Sequence, residues 1–160
     1  MVKKFSKVKS ETKTSFMFPS LHNDVAKAVS HSLPSIRFCR NNSDGTADNI
    51  YNTHVMGRFG CRNETCPTNG WSSKKVAIMI RGYAEDGYNA VVFNQRCKGC
   101  NGLGTLVLDE QSYVDRVAYR IQKWAGIPLE RQHHAPKGGT PHETEFCEGC
   151  KRGVCRQKNG

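Results

Sequence analysis

The chain has 160 residues and a mass of 17.9 kDa, and 24 Lys and Arg against 14 Asp and Glu give a formal charge of +10. Its longest unbroken apolar run, Val76–Ile80, is far too short for a transmembrane helix. The start, Met1–Lys13, is lysine-rich and lacks the apolar core of a secretory signal. We therefore expect an intracellular protein, in the cytoplasm or nucleus, whose eight cysteines are not paired as disulfides.

Two segments precede the expected core. Residues 1–15 carry five lysines and one acid, Glu11, which predicts a disordered basic arm. Residues 16–54 are interpreted as an extension with a helix that ends before Pro34 and a short strand over Ser35–Arg40. The residues that predict the helix are Leu21, Val25, Ala28 and Val29, with Ser20 as the N-cap.

From Ile50 onward the pattern becomes that of strands. Trp71–Tyr83 and Tyr88–Arg96 predict a β-hairpin, with Ala84–Gly87 as the turn between them. Leu103–Leu108 predicts a third strand. Within the first strand one face is formed by Val76, Ile78 and Ile80 and the other by Ala77 and Met79.

A helix follows the strands. An apolar stripe from Tyr113 to Trp124 recurs at helical spacing, Ser112 with Asp115 approximates a capping box, and Gly126 stands at the expected C-cap. Residues 128–146 predict a linker loop. The fold class expected for residues 55–160 is α+β, a small zinc-stabilised domain with an antiparallel β-hairpin or sheet, one packed C-terminal helix and zinc knuckles.

Cysteine spacing points to metal binding. Cys97/Cys100 and Cys147/Cys150 are C-x-x-C pairs, and Cys61/Cys66 has four residues between its members. Tight turns of this length direct two thiolates at one tetrahedral zinc ion. Neither C-x-x-C pair begins a helix in a βαβ unit, which disfavours a redox role. Cys39, in an apolar stretch, is interpreted as a buried free thiol.

The spacing suggests how eight ligands divide between two zinc ions. His142, Cys147, Cys150 and Cys155 offer four nitrogen and sulfur ligands within fourteen residues, enough for a local site. The remaining four, Cys61, Cys66, Cys97 and Cys100, would form an all-cysteine site. Spacing alone leaves a cross-paired division open.

These motifs together resemble the 3CxxC-type zinc-finger family, which includes the zygote-arrest and receptor-transporting proteins, and the chain is most similar to its fungal branch. The resemblance rests on Phe59–Trp71, on VFNQRCKGC at Val92–Cys100, on W-A-G at Trp124–Gly126, and on PHETEFCEGCKRGVC at Pro141–Cys155. It covers about residues 55–156. It implies that the eight residues named above are zinc ligands, although the first pair departs from C-x-x-C.

The resemblance also implies two kinds of function. Zygote-arrest relatives bind RNA, and receptor-transporting relatives help membrane receptors reach the cell surface. A structural-zinc module that binds RNA is the first hypothesis, since basic residues flank the knuckles. The alternative is a protein-interaction or receptor-trafficking adaptor that docks through residues 112–125 or 128–146. The predicted RNA contacts are Arg62, Lys74, Lys75, Lys98, Lys151, Arg152 and Arg156.

Catalysis is not expected. Protein ligands fill both predicted zinc sites, whereas a catalytic zinc keeps an open position. The deaminase pattern H-x-E fails because Thr144 stands two residues after His142, and H-E-x-x-H fails because Phe146 stands three residues after Glu143. We therefore expect no enzyme and no small-molecule substrate, and we expect Trp71 and Phe146 to pack beneath the metal sites.

Overall fold

The computed structural model describes residues 5–7, 13–40, 47–129 and 147–151, and for residues 5–7 and Lys151 it describes the backbone alone. The helices are α1 (His22–Val29), which follows a 3-10 turn at Pro19–Leu21, α2 (Glu110–Trp124) and α3 (Glu148–Lys151). The strands are β1 (Phe5–Lys7), β2 (Ser15–Phe16), β3 (Arg37–Phe38), β4 (Asn49–Gly60), β5 (Gly70–Tyr83), β6 (Gly87–Phe93) and β7 (Thr105–Asp109).

The strands form one sheet in the order β1-β7-β4-β5-β6-β2, with β3 added beside β6. All pairs are antiparallel except β3 with β6. The expected fold class is therefore confirmed, and the sheet is larger than a hairpin. The boundary expected between residues 54 and 55 falls inside β4, because the strand runs from Asn49 to Gly60 without interruption.

The two faces of the sheet have separate apolar clusters. The front cluster contains Val76, Ile78 and Ile80 of β5 together with the apolar residues of α1 and α2. The back cluster contains Ala77 and Met79 of β5, with residues of β6 and the last cysteine pair. The predicted alternation along β5 is correct, and both faces are covered because side chains of a strand alternate between the faces.

Helix α1 is confirmed, but its predicted cap is wrong. The residue at the N-cap position is Leu21, and the helix has no side-chain cap. Ser20 lies within the 3-10 turn, whose Leu21 N–H bonds to the Phe18 carbonyl at 3.0 Å. Val25 and Val29 of this helix are fully buried in the front cluster, so α1 packs into the same core as the later strands.

Helix α2 is also confirmed, and it begins earlier than predicted. Its N-cap is Asp109, whose carboxylate accepts the Ser112 N–H at 3.2 Å. Ser112 instead accepts the Met56 N–H at 3.0 Å, beside an irregularity in the register of β4 and β5. Gly126, at φ +78°, ends the helix as predicted.

The predicted turn between β5 and β6 is present. Gly87 N–H bonds to the Ala84 carbonyl at 3.3 Å, and Glu85 and Asp86 both have φ of 60°. Positive φ at both central residues is the signature of a type I′ turn, which matches the twist of a hairpin. The turn places the β5–β6 connection at one end of the sheet. The loops between β4 and β5 and between β6 and β7, which contain four of the cysteines, lie at the other end.

Candidate metal centre

Four cysteine sulfurs meet at the end of the sheet where β4 stops and β5 starts. Cys61 and Cys66 belong to the loop between these strands, and Cys97 and Cys100 to the loop between β6 and β7. All four sulfurs lie within 4.8 Å of one another. Because Gly60 pairs with both Gly70 and Thr105, the sheet itself brings the two loops together.

The spacing of the sulfurs fits zinc. Cys61 Sγ lies 3.7 Å from Cys100 Sγ, and Cys66 Sγ lies 3.8 Å from Cys97 Sγ. A tetrahedral site with Zn–S bonds of about 2.3 Å separates its sulfurs by about 3.8 Å. Thiolates are also the ligands that structural zinc sites favour. The cluster can therefore hold one zinc ion with four protein ligands.

The sulfurs differ in how readily they ionise. Burial opposes ionisation of Cys97, but hydrogen bonds from the Cys100 and Gly99 backbone and from the Thr68 hydroxyl outweigh burial and lower its pKa to about 6. At Cys61 the backbone hydrogen bond from Asn63 is outweighed by burial and by the neighbouring thiols, which raise its pKa to about 12. Cys97 is thus more prepared than Cys61 to be a thiolate before metal arrives.

Two residues around Cys97 contribute to its lowered pKa. The Gly99 N–H donates to Cys97 Sγ at 3.3 Å. A Cβ at Gly99 would lie 2.8 Å from both Cys66 Sγ and Thr68 Oγ1, so only glycine lets the backbone approach the sulfurs. Thr68 was missed by the sequence analysis, because nothing in its local pattern shows that it faces a cysteine 29 residues later.

Two aromatic rings pack on each other at this end of the sheet. The Trp71 ring stacks on the buried Phe59 ring with centroids 5.2 Å apart, and its Nε1 donates to Gln95 Oε1 at 2.9 Å. Gly104 lies against both rings, since a Cβ there would come within 3.0 Å of Trp71. Trp71 therefore packs against the front cluster, and Phe146 lies outside the described residues.

The last cysteine pair lies on the back of the sheet. Cys147 forms a β-bridge with Gln95, and Cys147 and Cys150 pack among Ala77, Met79, Val91 and Phe93. The Cys150 N–H donates to Cys147 Sγ at 3.4 Å. Gly149 is required by packing, because a Cβ there would lie 2.4 Å from Ala77 Cβ. His142 and Cys155, the other ligands predicted for this site, lie outside the described residues.

Asn94 joins three segments around the cysteines, and the sequence analysis did not identify it. Its side-chain amide is fully buried and donates to the carbonyls of Lys13 and Gly104, both at 3.0 Å. Its Oδ1 accepts the Gln95 N–H at 2.8 Å, and its own carbonyl accepts the Glu148 N–H at 3.2 Å. The side chain of Asn94 therefore ties Lys13 and Gly104 together, and its backbone holds the segment of the last cysteine pair.

The predicted RNA contacts divide between described and other residues. Arg62, Lys74 and Lys98 are exposed, and Lys75 is half-buried. Arg62 and Lys98 lie in the two cysteine loops, and Lys74 and Lys75 lie in the adjoining half of β5. Arg152, Arg156 and the Lys151 side chain lie outside the described residues. Cys39 is half-buried, lies outside the cluster, and accepts a hydrogen bond from Arg37 Nη1 at 3.4 Å.

A four-cysteine cluster built from two loops at the end of an antiparallel sheet defines a zinc-ribbon type of domain. A family model described as a 3CxxC-type zinc-binding domain matches residues 54–153. The chain belongs to this family, as the resemblance of its motifs indicated.

One curated relative extends this finding. Over an alignment of 122 residues the chain is 29% identical to Receptor-transporting protein 1 of Mus musculus, and the match covers 66% of this chain and 44% of that protein. The chain thus spans less than half the length of this relative. No solved structure matches the chain significantly. Among the described residues, no helix is long and apolar enough to cross a membrane.

Proposed function

We propose that this chain is a non-catalytic binding module in which zinc is structural and basic residues around the cysteine loops bind RNA. The observation that carries the proposal is the clustering of cations at the zinc end of the sheet. Arg96 is committed to an ion pair with Glu148, at 2.6 Å. The other cations there are Arg58, Arg62, Lys74, Lys75 and Lys98.

The negative charge of the metal centre reduces the excess of positive charge at the zinc end without cancelling it. Among the described residues at this end, the five cations oppose one acid, Glu64, and a zinc ion with four thiolates carries a charge of about −2. These described groups therefore keep a net charge of about +2. The hairpin end carries the acids Asp48, Glu85 and Asp86 but also Arg37, which donates to the Ala84 and Glu85 carbonyls. The positive charge that remains at the zinc end supports its orientation toward a polyanion.

Aromatic stacking does not support base recognition at this surface. The Trp71 ring is occupied by Phe59 and its N–H by Gln95. The proposed binding is therefore to phosphates, so it tolerates different sequences and weakens strongly with salt.

The test is fluorescence anisotropy with a labelled 20-nucleotide RNA between 50 and 200 mM salt. Arg62→Gln with Lys98→Gln is expected to weaken binding about tenfold and to reduce the salt slope by about 1.4, since each single-strand phosphate contact contributes about 0.7. The matched control is Lys27→Gln with Arg40→Gln, which removes two exposed cations elsewhere. Equal losses in both double variants, or no binding at 50 mM salt, would refute the proposal.

A second candidate function rests on the curated relative. The name of that protein attributes receptor transport to it, and we propose that this chain serves as an adaptor for membrane-protein clients if RNA is not its ligand. The test is affinity purification from cells with and without ribonuclease. Membrane proteins that remain enriched after ribonuclease treatment, while bound RNA is absent, would favour the adaptor.

A further inference from the structure

Helix α2 carries three cations in one stripe, of which Lys123 is exposed and Arg116 and Arg120 are half-buried. Arg116, Arg120 and Lys123 follow one another at intervals of four and three residues, which places them on the same side of the helix. The opposite side, which includes Val117 and Ile121, is buried in the front cluster. Like charges at these intervals repel one another, so the stripe is unfavourable for the helix alone.

Two tyrosines hold the cations in place. Arg120 Cζ lies 3.3 Å above the centre of the Tyr51 ring, and the Tyr119 ring centre lies 5.9 Å from Arg120 and 5.7 Å from Lys123. Arg120 Nε is buried and has no hydrogen-bond partner. The guanidinium of Arg120 is therefore positioned by an aromatic ring. Its Nε is out of reach of a partner, and its terminal nitrogens are the donors suited to a carboxylate or phosphate.

Few acids balance the stripe among the described residues. Asp115 neighbours Arg116, and its Oδ1 accepts from Gln111 Nε2 at 2.8 Å. Glu110, the other acid of α2, lies at the start of the helix, four turns from its end. The two cations nearest the end of the helix, Arg120 and Lys123, have Tyr119 between them. An anionic partner at this position would relieve the repulsion.

The shape of the adjoining sheet favours an extended partner. Strand β7 pairs with β4 at Gly57–Gly60 only, and at Asp109 the chain turns into α2. Among the described strands, the half of β4 that contains Ile50 therefore pairs with β5 alone. A strand-like peptide that lay beside this half would have alternate side chains about 6.6 Å apart on one face. The axial rise from Arg116 to Arg120 is about 6 Å, which is similar to that spacing of alternate side chains.

We propose that the stripe formed by Arg116, Arg120, Lys123, Tyr51 and Tyr119 is a docking surface for an extended acidic peptide of a partner protein. A single-stranded nucleic acid fits less well, because it needs open aromatic faces for its bases. Here Arg120 covers one face of Tyr51, and two cations flank Tyr119. This surface is distinct from the zinc end, and it does not depend on the RNA proposal.

The test uses the full zinc-loaded chain and a labelled ten-residue peptide of alternating Glu and Thr, with a Gln-for-Glu peptide as the probe control. At 50 mM salt the acidic peptide is expected to bind in the micromolar range, at least tenfold more tightly than the Gln peptide. Arg120→Gln with Lys123→Gln is expected to lose about tenfold in affinity. Lys27→Gln with Arg40→Gln, and Arg62→Gln with Lys98→Gln, are expected to stay within about twofold of the parent chain.

Two further measurements make the outcome decisive. Arg120→Lys keeps the charge but loses the planar stack, so it is expected to weaken binding while circular dichroism and zinc content stay unchanged. A 12-nucleotide oligouridine serves as the competing anion. The proposal is overturned if the Glu and Gln peptides bind alike, if all three double variants lose the same affinity, or if oligouridine binds the stripe more tightly than the peptide does.

Discussion

At the scale of single residues, the metal centre depends on groups that are not metal ligands. Cys97 receives hydrogen bonds from Gly99, Cys100 and Thr68, and each of them stabilises the thiolate form. Such partners fix the orientation of a ligand and increase its readiness to bind metal. The cysteine pairs were predictable because the signal lies in their spacing. Thr68 was not, since its contact with Cys97 exists only after the two loops meet.

Removal of the Thr68 hydroxyl is expected to weaken zinc binding. Thr68→Val deletes one donor to Cys97 and should raise the zinc dissociation constant about tenfold at neutral pH. Thr68→Ser keeps the donor and should restore most of the affinity. Competition with a chromophoric chelator measures both. Thr65→Val, which removes a neighbouring exposed hydroxyl bound to Asn63, is the control, and equal effects at positions 65 and 68 would contradict this role.

Truncation of Asn94 is expected to destabilise the whole domain. Asn94→Ala leaves the Lys13 and Gly104 carbonyls and the Gln95 N–H without their buried partner. Unsatisfied buried groups cost about 1–3 kcal/mol each, so a loss of about 3 kcal/mol in the free energy of unfolding is expected. Urea denaturation at saturating zinc measures it. Asn69→Ala, the same change at an exposed site, should cost less than about 0.5 kcal/mol.

At the scale of elements, local patterns were reliable and long-range ones were not. Strand β5, the Ala84–Gly87 turn and the end of α2 at Gly126 were predictable, because alternation, turn chemistry and helix period are local signals. Strand β3 lies within the short strand predicted over Ser35–Arg40, whereas β2 has two residues, was not predicted and exists through pairing with β6. The sequence placed the N-cap of α2 at Ser112, whereas the structure has it at Asp109. Asp109 is also the last residue of a strand, and the Ser112 hydroxyl instead accepts the Met56 N–H.

The turn between β5 and β6 offers a stabilising substitution. Asp86 has φ of 60°, which glycine adopts at lower cost than a residue with a Cβ. Asp86→Gly is expected to raise the free energy of unfolding by about 0.5–1 kcal/mol, which is a rise of about 2–4 °C in melting temperature. Asp86→Ala loses the same carboxylate without relief of the backbone, and should give no gain. A gain of the same size from Ala would show that charge is responsible.

At the scale of the whole molecule, the apolar core and the metal site both stabilise the fold. The front cluster joins α1, α2 and the sheet, and the cysteine loops close the sheet at one end. A structural zinc site contributes about 10–16 kcal/mol at neutral pH, comparable with the entire stability of an ordinary domain. Cysteine spacing grouped the four residues of the described cluster together, although it left a cross-paired division open. The sequence did not predict that the last cysteine pair would pack on the face opposite to α1 and α2.

Two zinc ions per chain are expected, one in the described cluster and one that includes Cys147 and Cys150. Native mass spectrometry of the purified chain measures the number. Cys61→Ser with Cys66→Ser, and Cys147→Ser with Cys150→Ser, should each remove one ion, since each pair serves one site in the local division. A single ion in the parent chain would contradict two sites. Loss of both ions from either variant would instead support cross-paired ligands.

The placement of the last cysteine pair has a consequence for how the protein is made. Cys147 and Cys150 cover Ala77, Met79, Val91 and Phe93 on the back of the sheet. The ribosome synthesises those four residues more than fifty positions earlier, and domains generally fold as units while synthesis proceeds from the N-terminus. The back of the sheet therefore stays open to water, and to chaperones, until residue 150 has left the ribosome. A ribosome stalled before that point would hold a nascent chain with an exposed apolar surface, because the residues that cover it have not yet been synthesised.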